Sequence, residues 1–324
     1  MKRYPVVAAL VGLLGIVAGA GTAAAQDAYP ARRVTVVVPS PAGSTTDSLA
    51  RLVADQLQRK WKQTVIVENN GRGLNPGAEQ VSRAAPDGYT LLVTAPMPLT
   101  FANLLYKDIG YQASQFVPVS LLAKIPNVLA VRKNLPAKDV KELVALAKAS
   151  PGKITYASSA AGSTAHLSGA QLEVRGGIKM THVPYRGSAP AINDLLGGHV
   201  DLFFDTLTTS VPLWRGGKIN ILAVASAERV DAVKELPTIA ESGFPGFRSI
   251  TWFAMAAPPK TPTAIAAKIN RDIVDLLKSP EVDKRLRELQ LDPMIGSPAD
   301  AGTFFAEETE LWGGVIKEAN VEAH

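Results

Sequence analysis

The chain has 324 residues, no cysteine, and 34 lysines plus arginines against 29 acidic residues, a formal charge of +5. Without disulfides it depends on a hydrophobic core, and its length suggests two such cores, since single ones seldom grow past ~250–300 residues. The positive excess is diffuse and forms no basic stripe with interleaved aromatics, which excludes a typical nucleic-acid binder and mildly favours a small anion as ligand.

At the N-terminus, Lys2 and Arg3 precede the apolar run PVVAALVGLLGIVAGAG, and Ala23–Ala25 supplies the small residues of an A-x-A cleavage site. That order predicts a signal peptide over 1–25 and an exported, soluble mature protein. A membrane anchor is the alternative, but the run is short for a span and a processing site follows it at once. Loss of Lys2 and Arg3 takes the formal charge from +5 to +3.

Strand-like and helical runs then alternate. RVTVVV (33–38) predicts a buried strand, and TTDSLARLVADQLQRKW (45–61) an amphipathic helix with Leu49, Leu52, Val53 and Leu57 on one face. TVIVEN (64–69), a helix near 77–85 and YTLLVT (89–94) complete a βαβαβ rhythm, which predicts α/β layers around a largely parallel sheet. NVLAVRK (127–133) is expected to open a second cycle, with a helix over 138–149, a strand over 153–158 and a helix over 164–175. THVPYRG (181–187), AINDLLGG (191–198), VDLFFDT (200–206) and NILAVAS (220–226) continue it, and long helices are expected over 263–289 and 298–319.

One tetrapeptide, AGST, occurs in both cycles, in SPAGSTTD (40–47) and in SSAAGSTAH (158–166). Each copy lies between the end of a strand and the start of a helix, the place where open α/β sheets bind ligands. A helix N-terminus offers unpaired N–H groups and a partial positive charge, so it attracts an anion without lysine or arginine. Gly43 and Gly162 allow close backbone approach, and Ser44, Thr45, Ser163 and Thr164 can donate hydroxyl hydrogen bonds. Helix capping is the plainer reading of either copy alone, with Asp47 placed for a capping-box-like arrangement. Two copies at equivalent turns favour a shared ligand clamped between two domains.

Enzyme readings lack their motifs. There is no G-x-S-x-G elbow, and the pair Ser163 and His166 has no evident orienting acid or oxyanion hole, so an exported serine hydrolase stays a minor alternative. The histidines at 166, 182, 199 and 324 match no metal-ligand spacing. NNGRGLNPG (69–77) departs from the dinucleotide fingerprint and is expected to shape the rim of a cleft.

Taken together, these segments resemble the periplasmic solute-binding receptors of the tripartite tricarboxylate transporter family, also called Bug proteins. The likeness covers nearly the whole mature chain and rests on YPARRVTVVVPSPAGSTTDSLAR (29–51), AAPDGYTLL (84–92), ITYASSAAGSTAHLSGAQLE (154–173), VPYRGSAPAINDLLGGHVDLFFDT (183–206) and LPTIAESGFPGF (236–247). It implies a periplasmic-binding-protein type II fold, two α/β lobes around a ligand cleft joined by two hinge crossings. Lobe I would comprise 26–125 plus 251–324, and lobe II 126–250. It implies a periplasmic, monomeric receptor rather than an enzyme, with no cofactor, no metal and no nucleic-acid partner. Such a receptor would bind a di- or tricarboxylate or an aromatic acid through small polar groups, amides and water. It would deliver that ligand to the membrane subunits of a transporter; use of the bound form for sensing is the alternative.

Carried onto this chain, lobe I would contribute Ser40, Ala42, Gly43, Ser44, Thr45 and Asp47, with Thr94, Ala95 and Thr100 from the next turn. Lobe II would contribute Ser158, Ala161, Gly162, Ser163, Thr164, His166 and Asp205. Three departures bear on specificity. Ser40 stands where the family commonly has an aromatic residue, the first turn reads AGSTTD where many relatives have a double glycine, and Met97 and Leu99 replace a more polar turn. The last pair would either wall a ring or methylene chain, or pack the lobe. For Asp205 three roles are open: ordering a water, accepting from a ligand amine or hydroxyl, or capping the next turn. Arg186 and Arg215 are expected at the surface.

Overall fold

The computed structural model describes residues 29–322, so the expected signal peptide over 1–25 lies outside them. The chain begins with β1 (Val34–Val38), α1 (Thr45–Trp61), β2 (Val65–Asn69), α2 (Leu74–Ser82), β3 (Thr90–Thr94) and a one-turn α3 (Ala102–Leu105). It continues with β4 (Val117–Arg132), α4 (Val140–Ala149), β5 (Thr155–Ser158), α5 (Thr164–Gly176), β6 (Thr181–Pro184), α6 (Ser188–Gly197) and β7 (Leu202–Thr206). The remainder is α7 (Leu207–Arg215), β8 (Ile219–Val224), β9 (Ile250–Ala257), α8 (Thr263–Leu277), α9 (Pro280–Glu288), β10 (Asp292–Pro293) and α10 (Pro298–Glu318). The α/β layering expected from the alternating runs is the architecture the chain adopts, but the sheet is mixed and not largely parallel, because β4 and β9 run antiparallel to their neighbours.

The described strands join in the order β2-β1-β3-β9-β4-β7-β5-β6, with β8 and β10 also pairing with β4. β1 is parallel to both β2 and β3, and β5 is parallel to both β6 and β7. β4 links these two parallel groups. Its residues 117–126 pair with β9, and residues 127–132 pair with β7 and β8.

The expectation that NVLAVRK opens its own strand is therefore corrected: it is the second half of β4. The interposed Pro126 interrupts nothing, because it lies at the end of the β9 pairing, opposite Ile250, where the missing N–H breaks no central ladder. A second correction falls at 263–289, where one helix was expected and two form. Pro280 has no N–H to extend the first, and Ser279 instead caps the second by accepting from Val282 N.

Core formation follows the apolar spacing. Leu49, Val53 and Leu57 of α1 pack with Ile269, Ile273 and Leu277 of α8 against Val34, Val36 and Val38. The alternate residue, Val37, faces the opposite side with Leu92, Trp252 and Trp312, as the two-residue period of a strand requires. A separate cluster fills the second parallel group, with Leu129, Val131, Leu143, Leu172, Leu195 and Phe203. Each fully buried side chain of this kind stabilises the fold by about 1.5–3 kcal/mol relative to exposure.

α10 fixes the region where the two groups meet. Glu308 is buried and accepts from the indoles of Trp252 (2.9 Å) and Trp312 (3.1 Å). Its second oxygen pairs with Arg248 at 3.2 Å.

Candidate functional site

The strand register places the expected ligand segments on two sides of one stretch of β4. Thr94, at the carboxyl end of β3, aligns with Ala254, which aligns with Leu121. At the carboxyl end of β7, Thr206 aligns with Asn127. β9 is antiparallel to both β3 and β4, whereas β7 runs antiparallel to β4. The carboxyl ends of both groups consequently point toward residues 121–127, a length of roughly 20 Å at the rise of an extended strand. The turns after β1, β3, β5 and β7 surround that stretch.

The two AGST turns are built alike, residue for residue. Ser44 and Ser163 are the N-caps of α1 and α5, with φ, ψ of −69°, 162° and −70°, 164°. Ser44 Oγ accepts from Asp47 N at 3.2 Å, and Ser163 Oγ accepts from His166 N at 3.4 Å. Ser44 N donates to Pro41 O, and Ser163 N donates to Ala160 O. Both glycines have positive φ, +82° at Gly43 and +71° at Gly162, which glycine adopts without a Cβ penalty.

In both turns the residue four positions after the glycine returns to its N–H. Gly43 N donates to Asp47 Oδ2 at 2.9 Å, and Gly162 N donates to His166 Nδ1 at 3.1 Å. This answers the capping question: both turns are capped helices, and neither glycine amide is spare. What stays available is the pair of N–H groups at the first two helical positions, which have no acceptor within their own helix. These belong to Thr45 and Thr46 in α1, and to Thr164 and Ala165 in α5. Among the described residues, no protein acceptor takes the hydroxyl protons of Thr45, Ser163 or Thr164.

The turns differ in their surroundings. Pro41, Ala42 and Gly43 are exposed, and Ser40 Oγ lies 3.2 Å from Ser44 Oγ. Below this turn the Asp47 carboxylate is buried and accepts from Arg51 and from Asn69 Nδ2, besides Gly43 N. Burial alone would raise its pKa, but the hydrogen bonds from Arg51, Gly43 and Asn69 outweigh it and hold the group below its ordinary value. Asn69 also donates to Ser40 O at 3.1 Å, so the turn is braced from β2.

The second turn is covered. Tyr106 Oη donates to Ala161 O at 3.0 Å, and a Cβ on Gly162 would come within 2.6 Å of Leu105 Cδ1. Beneath it the rings of His166 and His182 stack, with centroids 3.6 Å apart and an interplanar angle of 4°. Burial, then the neighbouring His182, lowers the His166 pKa to about 3, and burial lowers that of His182 to about 4. Both rings are therefore neutral near pH 7, and their partners fix the tautomers. His166 Nδ1 accepts from Gly162 and carries no proton. Ser158 Oγ spends its one proton on Ala160 O (2.9 Å), so the 2.7 Å contact to His182 Nε2 is a donation from the histidine.

Of the remaining expected positions, Thr94 Oγ1 is buried with no partner among the described residues. Thr100 instead turns back to Pro96 O at 2.7 Å. Ala95 packs at the edge of the α1–α8 core, and Met97 and Leu99 lie inside the α10-side core, which is the packing reading of that turn. Asp205 is buried; Oδ2 accepts from Ser210 at 2.9 Å and Oδ1 has no partner among the described residues. Burial pushes its pKa up to about 7 against the hydrogen bonds from Ser210 and Thr206 N. Arg186 is exposed, and Arg215 donates to Ala232 O at the surface.

Sequence inspection did not single out Tyr106, His182 or Asn69, each of which supports a turn from a different element. Of these only His182 was named, among the four histidines, and nothing local placed its half-buried ring against the second turn. The glycine-rich stretch 69–77, expected at a cleft rim, packs α2 on the first turn: a Cβ on Gly77 would collide with Pro39.

A family model described as the tripartite tricarboxylate transporter family receptor matches residues 49–321. The chain is similar to protein BugT of Bordetella pertussis, with 35% identity over 317 residues, covering 97% of each chain. Among solved structures it resembles R. palustris Rpa4515 with adipate, at 39% identity and a TM-score of 0.83, covering 91% of this chain and 99% of the other. It also resembles MatC from Rhodopseudomonas palustris with bound malate, at 32% identity and a TM-score of 0.80, covering 89% and 100%.

Proposed function

We propose, from the premise that this chain belongs to the tripartite tricarboxylate transporter receptor family, that it is a periplasmic receptor for a small dicarboxylate. Members of the family are receptors rather than enzymes. The observation that carries the reading is the pair of identically built turns, each presenting two free helix amides, at strand ends that face the same stretch of β4. A carboxylate accepts hydrogen bonds only, and a helix N-terminus supplies donors with a favourable dipole. Adipate and malate in the two similar structures are dicarboxylates, which agrees with a ligand whose two charged ends meet two helix starts.

The hinge is taken at Pro126–Asn127 and Ser249–Ile250, where β4 changes partners and β9 begins. One lobe then comprises the described residues up to 125 with 251–322, the other 126–250. Ligand closes the lobes by rotation about these two crossings, and the closed form is recognised by the membrane subunits of a transporter. The receptor acts as a monomer. Ser40 puts a hydroxyl where a ring is common in the family, leaving a polar, open side to the first turn.

Titration of the mature protein with adipate, malate and other four- to six-carbon dicarboxylates tests the proposal. Ligand at about 100 Kd adds about 2.7 kcal/mol to stability, so the expected result is a rise in Tm of several degrees with matching calorimetric heat. Neither a shift nor heat across the panel would overturn the dicarboxylate reading. Replacing Ser163 and Thr164 together by Ala removes two hydroxyl donors and is expected to weaken binding about 10-fold, at about 0.5–1.5 kcal/mol each.

A further inference from the structure

At the two crossings the backbone ties three segments together. Ala225 N donates to Asn127 O (2.7 Å), Ser249 N to Ala225 O (2.7 Å) and Asn127 N to Ser249 O (3.4 Å). The side chains there form a second, separate chain of hydrogen bonds that leaves the hinge and enters α5. Asn127 Nδ2 donates to Ser249 Oγ at 2.8 Å, Ser249 Oγ and Ser168 Oγ lie 2.6 Å apart, and Ser168 Oγ donates to Thr164 O at 2.6 Å. Thr251 Oγ1 completes it at the far end by donating to Asn127 Oδ1 at 3.0 Å.

The direction of the chain follows by elimination. A serine hydroxyl has one proton, and that of Ser168 goes to Thr164 O. The short contact with Ser249 must then be a donation from Ser249, whose oxygen in turn accepts from Asn127. Every donor from hinge to helix points the same way. Asn127, Ser168 and Ser249 are all at most 2% exposed, so no solvent competes for these bonds.

A serine bonding to the carbonyl four residues back is common in helices. Its position here gives it a consequence. The Thr164 carbonyl shares one planar peptide group with Ala165 N–H. Fixing the carbonyl fixes the direction of that N–H, one of the two free donors at the start of α5. A hydrogen bond accepted by the carbonyl also polarises the peptide and strengthens its N–H as a donor.

We infer that Ser168 and Ser249 are positioning residues for ligand capture: they couple the hinge, through the Thr164–Ala165 peptide, to an anion-binding amide of α5. This rests on the reading of the α5 start as part of the ligand site. Thr251 lies in one lobe and Asn127 in the other, so rotation about the crossings acts on the bond between them and, through Asn127 and Ser249, on Ser168. The relay holds the amide aimed in one hinge geometry and releases it in the other.

The test compares Ser168→Ala, Ser249→Ala and Ser249→Thr in the full mature protein. NMR of the ligand-free protein follows the Thr164 carbonyl carbon and the Ala165 amide nitrogen, with the first turn of α4 as a control. Ser168→Ala should displace both signals. Ser249→Ala, on the hinge, should displace them in the same direction by less, and Ser249→Thr, which keeps the hydroxyl, should restore them. Adipate affinity should fall about 2- to 10-fold in both alanine variants, the range set by one hydrogen bond, and recover in Ser249→Thr. Wild-type signals at Thr164 and Ala165 in Ser249→Ala would overturn the inference, as would equal displacement at α4. If the wild-type protein failed to bind adipate, the ligand reading would fall, while the NMR comparison would still decide whether the relay exists.

Discussion

Gly43 and Gly162 share a backbone conformation and a sequence context but not a cost of replacement. A Cβ on Gly43 meets nothing within 4 Å, so Gly43→Ala carries only the left-handed backbone penalty, about 1–2 kcal/mol. Gly162→Ala adds a collision with Leu105 to the same penalty, and its loss in urea unfolding should exceed that of Gly43→Ala by at least about 1 kcal/mol. Equal losses would mean that Leu105 does not cover the turn. The histidine pair gives a second prediction: at pH 7, NMR should show both His166 and His182 neutral with the proton on Nε2, since Gly162 N–H occupies one Nδ1 and Ser158 receives the other Nε2–H. Because their folded pKa values lie below the unfolded value, the neutral rings contribute stability that is complete above pH 6.5 and is lost as pH falls toward 4 and 3. Asp205 has the opposite sign. Its raised pKa means that ionisation opposes folding as pH rises from about 4 to 7. Asp205→Asn should therefore gain stability relative to wild type by about 1.4 kcal/mol per pH unit across that window, read from unfolding curves at pH 4.5 and 6.5. A pH-independent difference would show that the carboxyl is not held neutral. The sequence marked Gly43, Gly162, His166 and Asp205, because residue type and turn position are local. It could not mark Tyr106, Leu105 or His182, which reach the second turn only through the packing of distant elements.

At the scale of elements, α10 and β9 meet through one buried acid. Glu308 accepts from two indoles and pairs with Arg248 just before the second crossing. Glu308→Ala leaves two buried indole N–H groups without an acceptor and is expected to destabilise the protein by about 3–5 kcal/mol. Glu308→Gln keeps a carbonyl acceptor and should lose less; thermal unfolding distinguishes the two, and equal losses would remove the acceptor role. Element boundaries were legible wherever caps and apolar spacing agreed. The helix starting at Thr164 was placed correctly because Ser163 is both the N-cap and the end of a turn signal. Two elements were mistaken for the same kind of reason. Only the second half of β4 was expected as a strand, because local spacing does not show that 117–132 runs on through Pro126 with a change of partner. α8 and α9 were fused, because the apolar spacing runs on past Ser279–Pro280, although proline at the first position of a helix marks a new start.

For the molecule as a whole, the two lobes as proposed are joined by a contact that needs no ligand. Tyr106, placed with the first lobe, donates to Ala161 O on the second-lobe turn. Tyr106→Phe removes that bond and should favour the open form. Small-angle scattering of the ligand-free variant should give a larger radius of gyration than wild type, with adipate reversing the difference. Identical curves would show that the bond does not hold the lobes. The sequence alone determined the α/β class, the alternation of elements, the two AGST turns and the likeness to a receptor family, because periodicity, caps and turn chemistry act over a few residues. Tertiary structure decided what covers each turn, since only the fold brings Tyr106, Leu105 and His182 to the second one. It also decided the continuity of β4 and the relay from Asn127 through Ser249 to Ser168. Those contacts join residues 81 to 122 positions apart, and a pairing at that separation is fixed by the packing of whole elements, not by the residues that flank either end.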